Sequence, residues 1–382
     1  KIFARKLAFA PFARQALALV LVVTCRGFCV YSYKESPKMN AIVYSRHDPE
    51  GINLVSKPQP SANRSNHILC KVAYAGLNPV DVKFLVGDKL PSWSWCQGLG
   101  RWAVDGRTVG FDFAGTVIGV PDGNEKFKVG DEVFGTMPPG SGSFCEVISV
   151  PLDQVALKPA SLSLREAAVL PLVGLTSVQA LRHDCGLKSG QHLLLIGASG
   201  GVGHVALQVA KATGATVTAV CSGRNADLVR SLGADRIVDY TAAGDDGLAG
   251  AFRRAAEEAG RPFDMCFDTV TSSEDRDNTL NYMEMLVGGG GKGEAPLLTG
   301  RYITIGGPLS DWMRAGVKRV AGVDLFGSGP HYHFWVRFPN SVSALEELSQ
   351  LADKGGVRPR VAEEAAVGDV EGVRRLFERV RS

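Results

Sequence analysis

Several things are scarce in this sequence, and each scarcity narrows the reading. Net charge is one: 42 basic and 39 acidic residues leave a formal +3 over 382 residues. No Lys/Arg block interleaves with aromatics, so nothing marks a nucleic-acid footprint. Paired cysteines are another. The eight cysteines are scattered, without a Cys-x-x-Cys or a His-x-x-x-His, which argues for reduced thiols and against a disulfide framework or a zinc site. Ala16–Val23 is solidly apolar but well short of the ~20 residues that a membrane-spanning helix needs. What is present, 45% hydrophobic and 21% charged residues, is a globular composition on a chain long enough for two domains with their own cores.

The first 38 residues differ from the rest. Lys1, Arg5, Lys6, Arg14, Arg26, Lys34 and Lys38 flank the apolar centre, and no acidic residue precedes Glu35. Three readings stand: an organellar targeting segment of the basic, acid-poor type, an upstream leader without a role, or a retained membrane anchor. We set residues 1–38 outside the fold and begin it at Met39.

From Met39 to about Ala160 short β-runs alternate with turn residues. Ala41–Tyr44, Ile68–Ala75, Thr116–Val120, Glu132–Phe134 and Ser143–Val150 read as strands between prolines and glycines, and the expectation is a β-rich, partly barrel-like domain. Trp93, Trp95 and Trp102 fall in a long loop, Asp88–Thr108, where core packing is favoured over a substrate wall. After Leu164 the pattern changes. Helices at 164–170 and 175–181 are followed by alternating strands and helices: a strand at 193–196, a helix from His204, strands at 215–221, 236–240, 263–268 and 301–306, and helices at 226–232 and 246–259. A run at Phe334–Phe338 completes the sheet. Alternating β and α implies a parallel sheet covered by helices on both faces. A helix at 342–351, a strand at 358–361 and a helix at 370–381 follow.

The chemistry centres on Leu193–Gly214. An apolar strand runs straight into Gly197-Ala-Ser-Gly200-Gly201-Val-Gly203 and then into a helix that Gly214 stops. Glycines at this junction let the backbone turn tightly and approach a pyrophosphate, whose charge then meets the free N–H groups of a helix N-terminus. Ser199, Gly200, Gly201 and Val202 are therefore candidate cofactor contacts. The next strand ends in Cys221-Ser222-Gly223-Arg224, with no acid where a dinucleotide fold would hold a ribose 2′-hydroxyl. Ser222 can donate to a 2′-phosphate and Arg224 offers it a planar charged fork, with Tyr240 as a third contact. The expected cofactor is NADP(H); the alternative is that Arg224 is a solvated arginine in a cap loop.

AGLNPVDVK (75–83), GFDFAGTV (110–117), KVGDEVFG (128–135), LPLVGLTSVQAL (170–181), GASGGVG and LGADRIVDY (232–240) together resemble the zinc-independent medium-chain dehydrogenase/reductases. The likeness is to the zeta-crystallin-like quinone oxidoreductases of the chloroplast-envelope and reticulon-4-interacting type. It implies an α/β fold, a GroES-like β-rich catalytic domain (39–160 and 339–382) with an inserted Rossmann doubly wound parallel-sheet domain (161–338). It implies reduction of a small quinone or an activated enone or enal C=C by NADPH, with a trans-2-enoyl thioester reductase, or an NADPH-binding protein of little turnover, as the alternatives. Zinc-dependent relatives place a cysteine at Asn78 and Gly-His-Glu at Gly110-Phe111-Asp112, so no metal is expected. In its place the resemblance nominates Asn78, to orient substrate or nicotinamide, and Lys83, to bind the nicotinamide ribose or assist protonation. For Lys83 the alternative is a solvated helix residue. Asp81 is expected to cap the local turn. Thr176 resembles a cofactor contact and Gly306 is placed near the nicotinamide. A homodimer, peripheral membrane association and, if residues 1–38 are a targeting segment, an organellar location complete the expectations; otherwise the location is cytoplasmic.

Overall fold

The computed structural model describes residues 19–24, 27–32, 37–48, 51–61, 65–83, 104–138, 140–242, 244, 246–270, 282–287, 295–305, 330–334, 336–337 and 341–381. Part of the segment that the sequence sets outside the fold is ordered into strands. β1 (Leu19–Thr24) pairs antiparallel with β2 (Gly27–Ser32), forming a two-stranded sheet separate from the others. The apolar run is β-branched as well as Leu-rich, which suits a strand.

β3 (Lys38–Tyr44) and β4 (Ile52–Pro58) form an antiparallel ribbon. Beside it lies a five-stranded antiparallel sheet in the order β8-β5-β6-β7-β9, with β5 at His67–Gly76, β6 at Asp112–Gly119, β7 at Glu132–Thr136, β8 at Val147–Pro151 and β9 at Val155–Leu157. Single bridges Ala41–Cys145 and Val43–Thr108 join the two. The inward residues Ile68, Cys70, Phe113, Val117, Val133 and Val150 are fully buried, each apolar side chain stabilising by roughly 1.5–3 kcal/mol relative to exposure. Two sequence expectations shift here. The strand predicted at 116–120 begins at Asp112, which brings Asp112 into the sheet, and the one predicted at 143–150 begins only at Val147.

The second sheet is wholly parallel, in the order β12-β11-β10-β13-β14-β15. β10 is His192–Ile196, β11 Thr216–Cys221, β12 Arg236–Asp239, β13 Phe263–Asp268, β14 Leu298–Thr304 and β15 His331–His333. In chain order this is 3-2-1-4-5-6, the doubly wound dinucleotide topology. β10 is buried at every residue, as a central parallel strand covered on both faces must be. The sixth strand lies at 331–333, not at 334–338, because the ladder partners of Tyr302, Ile303 and Thr304 are His331, Tyr332 and His333.

The helices follow in order. α1 is Pro79–Lys83, α2 Leu164–Ala167, α3 Pro171–Val178, α4 Gly201–Thr213, α5 Ala226–Ser231 and α6 Gly247–Glu258. α7 is Tyr282–Val287, α8 Val342–Asp353 and α9 Val370–Arg381. α9 returns to the β-rich part: Val373 and Phe377 pack with Ile42, Tyr44, Ile52 and Val82, and Arg374 donates to Asp48 at 3.0 Å. The strand expected at 358–361 does not form. Its backbone is bonded instead by side chains of α4: Gln208 Oε1 accepts from Arg358 N–H (2.8 Å), Gln208 Nε2 donates to Arg358 O (3.1 Å), and His204 Nε2 accepts from Arg360 N–H (3.2 Å). Residues four apart on a helix lie about 6 Å apart along its axis, close to the spacing of residues two apart on an extended chain, so one helix face can bond alternate residues of an extended segment. Trp93, Trp95, Trp102 and Gly306 lie outside the described residues.

Candidate functional site

Along the C-terminal ends of the parallel strands the chain places Gly197 after β10, Ser222 after β11, Tyr240 after β12 and Thr269 after β13. β10 lies between β11 and β13, where the connections leave in opposite directions, and this is where open α/β sheets bind ligands. The glycines of the turn are not equivalent. Gly197 has φ +78°, and a Cβ there would lie 2.5 Å from Val270 Cγ2. A Cβ on Gly203 would come within 2.1 Å of Gly197 O. Both are required by the protein's own packing. A Cβ on Gly201 would meet nothing closer than Val173 Cγ1 at 3.9 Å, so the fold leaves that space open. α4 starts there with Gly200 as N-cap and no side-chain cap, leaving donors of the first turn to an external acceptor. A pyrophosphate fits this cradle by charge and by room.

His204, in the first turn of α4, is buried and bonds Gly200 O through Nδ1 at 3.0 Å. Nδ1 must carry the proton, because Nε2 accepts from Arg360 N–H. Burial holds this imidazole below its ordinary pKa, against the pull of Gly200. The sequence offered no sign of this role, since a histidine at a helix start resembles any other solvated polar residue.

On the ribose side, Ser222 is buried and Arg224 exposed. Arg224 makes no hydrogen bond or ion pair among the described residues. Asp227, the nearest acid in sequence, is exposed and paired with Arg230 at 2.7 Å. Asn225, unremarked in the sequence because Asn is an ordinary turn residue, ties the two loops together: its Nδ2 donates to Ser199 Oγ at 3.1 Å and Ser222 Oγ at 3.2 Å. Asp239 accepts from Thr241 N–H and Oγ1; those bonds hold its carboxyl below the usual range. Tyr240 is half exposed beside it.

The β-rich side supplies a second constellation. Asn78, between β5 and α1, is buried, as are Asp81, Asp112 and Thr176. Asn78 N–H donates to Asp81 Oδ2 at 2.8 Å, and Asp81 N–H donates back to Asn78 O at 3.0 Å, so Asp81 does hold the start of α1 as expected. Asn78 Nδ2 donates to Asp112 Oδ2 at 3.0 Å. Leu172 N–H, in the first turn of α3, donates to both Asp112 oxygens at 3.1 and 3.0 Å, and Thr176 Oγ1 donates to Leu172 O at 2.8 Å. Two residues nominated separately are thus ends of one bonded chain, Asn78–Asp112–Leu172–Thr176. Burial pushes the Asp112 carboxyl up to about 7, although Asn78 and Leu172 favour its charged form. Burial likewise raises Asp81, against the Asn78 N–H, and the neighbouring Asp112 charge adds to the rise. Lys83 is the last residue of α1. Among the described residues no group of three or more His, Cys, Asp or Glu could hold a metal ion.

A doubly wound parallel sheet with a glycine phosphate turn, facing a β-rich part that carries buried polar groups, defines a dinucleotide-binding oxidoreductase architecture. Comparison with known proteins agrees. Residues 64–160 match the alcohol dehydrogenase GroES-like domain and residues 201–304 the zinc-binding dehydrogenase family. The human mitochondrial NAD(P)H oxidoreductase RTN4IP1 is 31% identical over 319 residues, covering 78% of this chain and 76% of that protein. The Arabidopsis thaliana chloroplast envelope quinone oxidoreductase homolog is 36% identical over 213 residues, covering 53% of this chain and 61% of that protein. The quinone oxidoreductase of Coxiella burnetii superposes with a TM-score of 0.68 at 26% identity, covering 91% of this chain and 97% of that one. The chain belongs to the medium-chain dehydrogenase/reductase superfamily, among the zeta-crystallin-like quinone oxidoreductases.

Proposed function

We propose that this protein is an NADPH-dependent reductase that passes hydride to a quinone or to the activated C=C of an enone or enal, without zinc. The observation that carries the reading is the uncapped N-terminus of α4 behind a turn whose Gly201 leaves open space. Ser199, Gly200, Gly201 and Val202 hold the pyrophosphate there. Ser222 and Arg224 take the 2′-phosphate with Tyr240 alongside, and Asn225 keeps the two loops in register. NADPH, when bound, supplies the hydride. Asn78 orients the nicotinamide or the acceptor, Lys83 binds the nicotinamide ribose or assists protonation, and Thr176 and Gly306 border the nicotinamide. Hydride addition builds negative charge on the acceptor oxygen, and donors aimed at it lower the barrier; water closes the step by returning a proton. In place of the thiolate and imidazole that would bind zinc, this chain has Asn78 and Phe111.

In this reading residues 39–160 and 339–382 make up the catalytic part and 161–338 the nucleotide-binding part, the active unit is a homodimer that associates peripherally with a membrane, and the location is organellar, as the names of its mitochondrial and chloroplast relatives suggest. No helix among the described residues is long and apolar enough to cross a membrane. A second acceptor class, enoyl thioesters, is favoured by the 36% identity over 200 residues to the trans-enoyl reductase pgmF of Aspergillus terreus. The deciding experiment is a panel of quinones, small enones and crotonyl thioesters, each assayed with NADPH and with NADH by loss of reduced-cofactor absorbance. Turnover of quinones or enones with NADPH over NADH is expected. NADPH binding with no acceptor turned over would refute the enzymatic reading.

A further inference from the structure

Asn78 occupies the residue before the first turn of α1, a position where Asn is favoured because its side-chain oxygen can accept the N–H of the third helical residue. Here that N–H, from Asp81, goes to the Asn78 main-chain oxygen. The side chain is turned away from capping, and its nitrogen donates to Asp112 at 3.0 Å. Both Asp112 oxygens already accept from Leu172 N–H, so the nitrogen is the end of the amide that faces Asp112. Asn78 Oδ1 is left as the end with no hydrogen bond among the described residues. Asp112 is fully buried and takes Leu172 N–H on both oxygens, at the positive end of the α3 dipole. A buried carboxylate is a costly way to hold two strands and a helix together. Its carboxyl is pushed up to about 7 by that burial, whereas an apolar side chain would fill the same space without cost. Both departures, the Asn that does not cap and the acid that is buried, have one product in common, a fixed Asn78 amide.

We infer that Asp112 is the positioning residue of this site: it holds the Asn78 amide nitrogen-in, so that Asn78 Oδ1 accepts a hydrogen bond from the carboxamide N–H of the nicotinamide, in register with α3 and Thr176. The inference rests on the reading of Asn78 as a contact of the reacting groups. It assigns that contact a direction, which the residue's identity alone leaves undecided, and gives the buried Asp112 a function.

The test uses the full chain carrying Asp112→Leu, Asn78→Ala and both together, with kcat, KM for the acceptor and Kd for NADPH measured on each, and circular dichroism and thermal unfolding confirming the fold. Leucine is close to Asp in size and removes both oxygens, so Asn78 Nδ2 loses the acceptor that holds it. Asparagine would not serve, because Asp112 Oδ2 takes both Asn78 Nδ2 and Leu172 N–H and one amide oxygen there would hold both. Asp112→Leu is expected to lower kcat at least tenfold with the NADPH Kd within a few-fold, and to have no further effect once Asn78 is Ala. If Asn78→Ala impairs turnover but Asp112→Leu matches the parent, or costs the same factor with and without Asn78, Asp112 does not act through Asn78 and the proposal is overturned. If Asn78→Ala itself turns over like the parent, the underlying reading of Asn78 fails, and the proposal with it. Should Asp112→Leu fail to fold, Asp112→Ser removes the carboxylate with a smaller side chain, and the same kcat loss and non-additivity are expected of it.

Discussion

Alanine at Gly201 and alanine at Gly203 should have opposite effects on stability, though the residues are two apart in the same turn. At Gly203 the new Cβ would lie 2.1 Å from Gly197 O and 2.8 Å from Ala198 Cα. Both are backbone atoms of the turn, so strand, turn and helix must separate; overpacking of this kind costs about 1–3 kcal/mol. At Gly201 the nearest atom is 3.9 Å away and the residue is already helical. Alanine there should stabilise the free protein by about 0.4–1 kcal/mol through the unfolded chain. NADPH reverses the benefit, because the Cβ fills the space that the pyrophosphate needs. A tenfold loss of affinity, about 1.4 kcal/mol, is expected. At a ligand concentration 100 times the parent Kd, NADPH adds about 2.7 kcal/mol of stability to the parent and so about half that to Gly201→Ala. Thermal unfolding with and without NADPH, together with a fluorescence titration, measures each quantity. Parent-like NADPH affinity in Gly201→Ala would refute the placement of the pyrophosphate, and a parent-like melting temperature in free Gly203→Ala would refute the turn geometry.

Arg224→Ala should weaken NADPH by about tenfold or more, the worth of a charge-assisted contact, while leaving NADH unchanged; direct titration with both cofactors checks it. Lys83→Ala should lower enone turnover by about 100-fold or more, the range typical of a lost proton-transfer group, with NADPH affinity within a few-fold; steady-state kinetics beside a binding titration separates the two. His204 is held neutral in the folded protein, with its pKa below the ordinary value. The unfolded chain therefore binds its proton first as pH falls through about 6.5, and the stability present above that value is lost progressively below it. Denaturant melts from pH 8 to 5 should show this loss, with a shallower slope in His204→Ala; a residual slope remains because His192 is depressed in the same direction by burial. An unchanged slope in that variant would show that His204 is not the titrating group.

How much of this was legible in the sequence depends on how locally each feature is encoded. The apolar run into Gly197, the helix that Gly214 ends with φ +88°, and the Ser222–Arg224 loop are consequences of backbone freedom and burial over a few residues, and the sequence was enough to locate them. The absence of an acid after β11 is the sequence observation behind the proposed 2′-phosphate contact. Asn78 and Thr176 were nominated one at a time, on resemblance. That they belong to one chain through Asp112 was not readable, because the bonds join residues 34 and 60 positions apart. His204 and Gln208 escaped for the same reason, their partners lying 156 and 150 residues away. The segment at 358–361 was misread as a strand because its extended backbone finds its donors and acceptors on a helix, which no alternation of residues announces.

By itself, then, the sequence determined the alternation of strands and helices and the glycine turn between β10 and α4, since these follow from periodicity and glycine freedom. Which way the Asn78 amide faces, which carboxylate is buried beneath it, and which glycine leaves open space rather than avoiding a clash were decided only by tertiary structure. Those depend on what distant segments bring within 3 Å of one another, and hydrogen-bond direction and steric room exist only once the chain has closed.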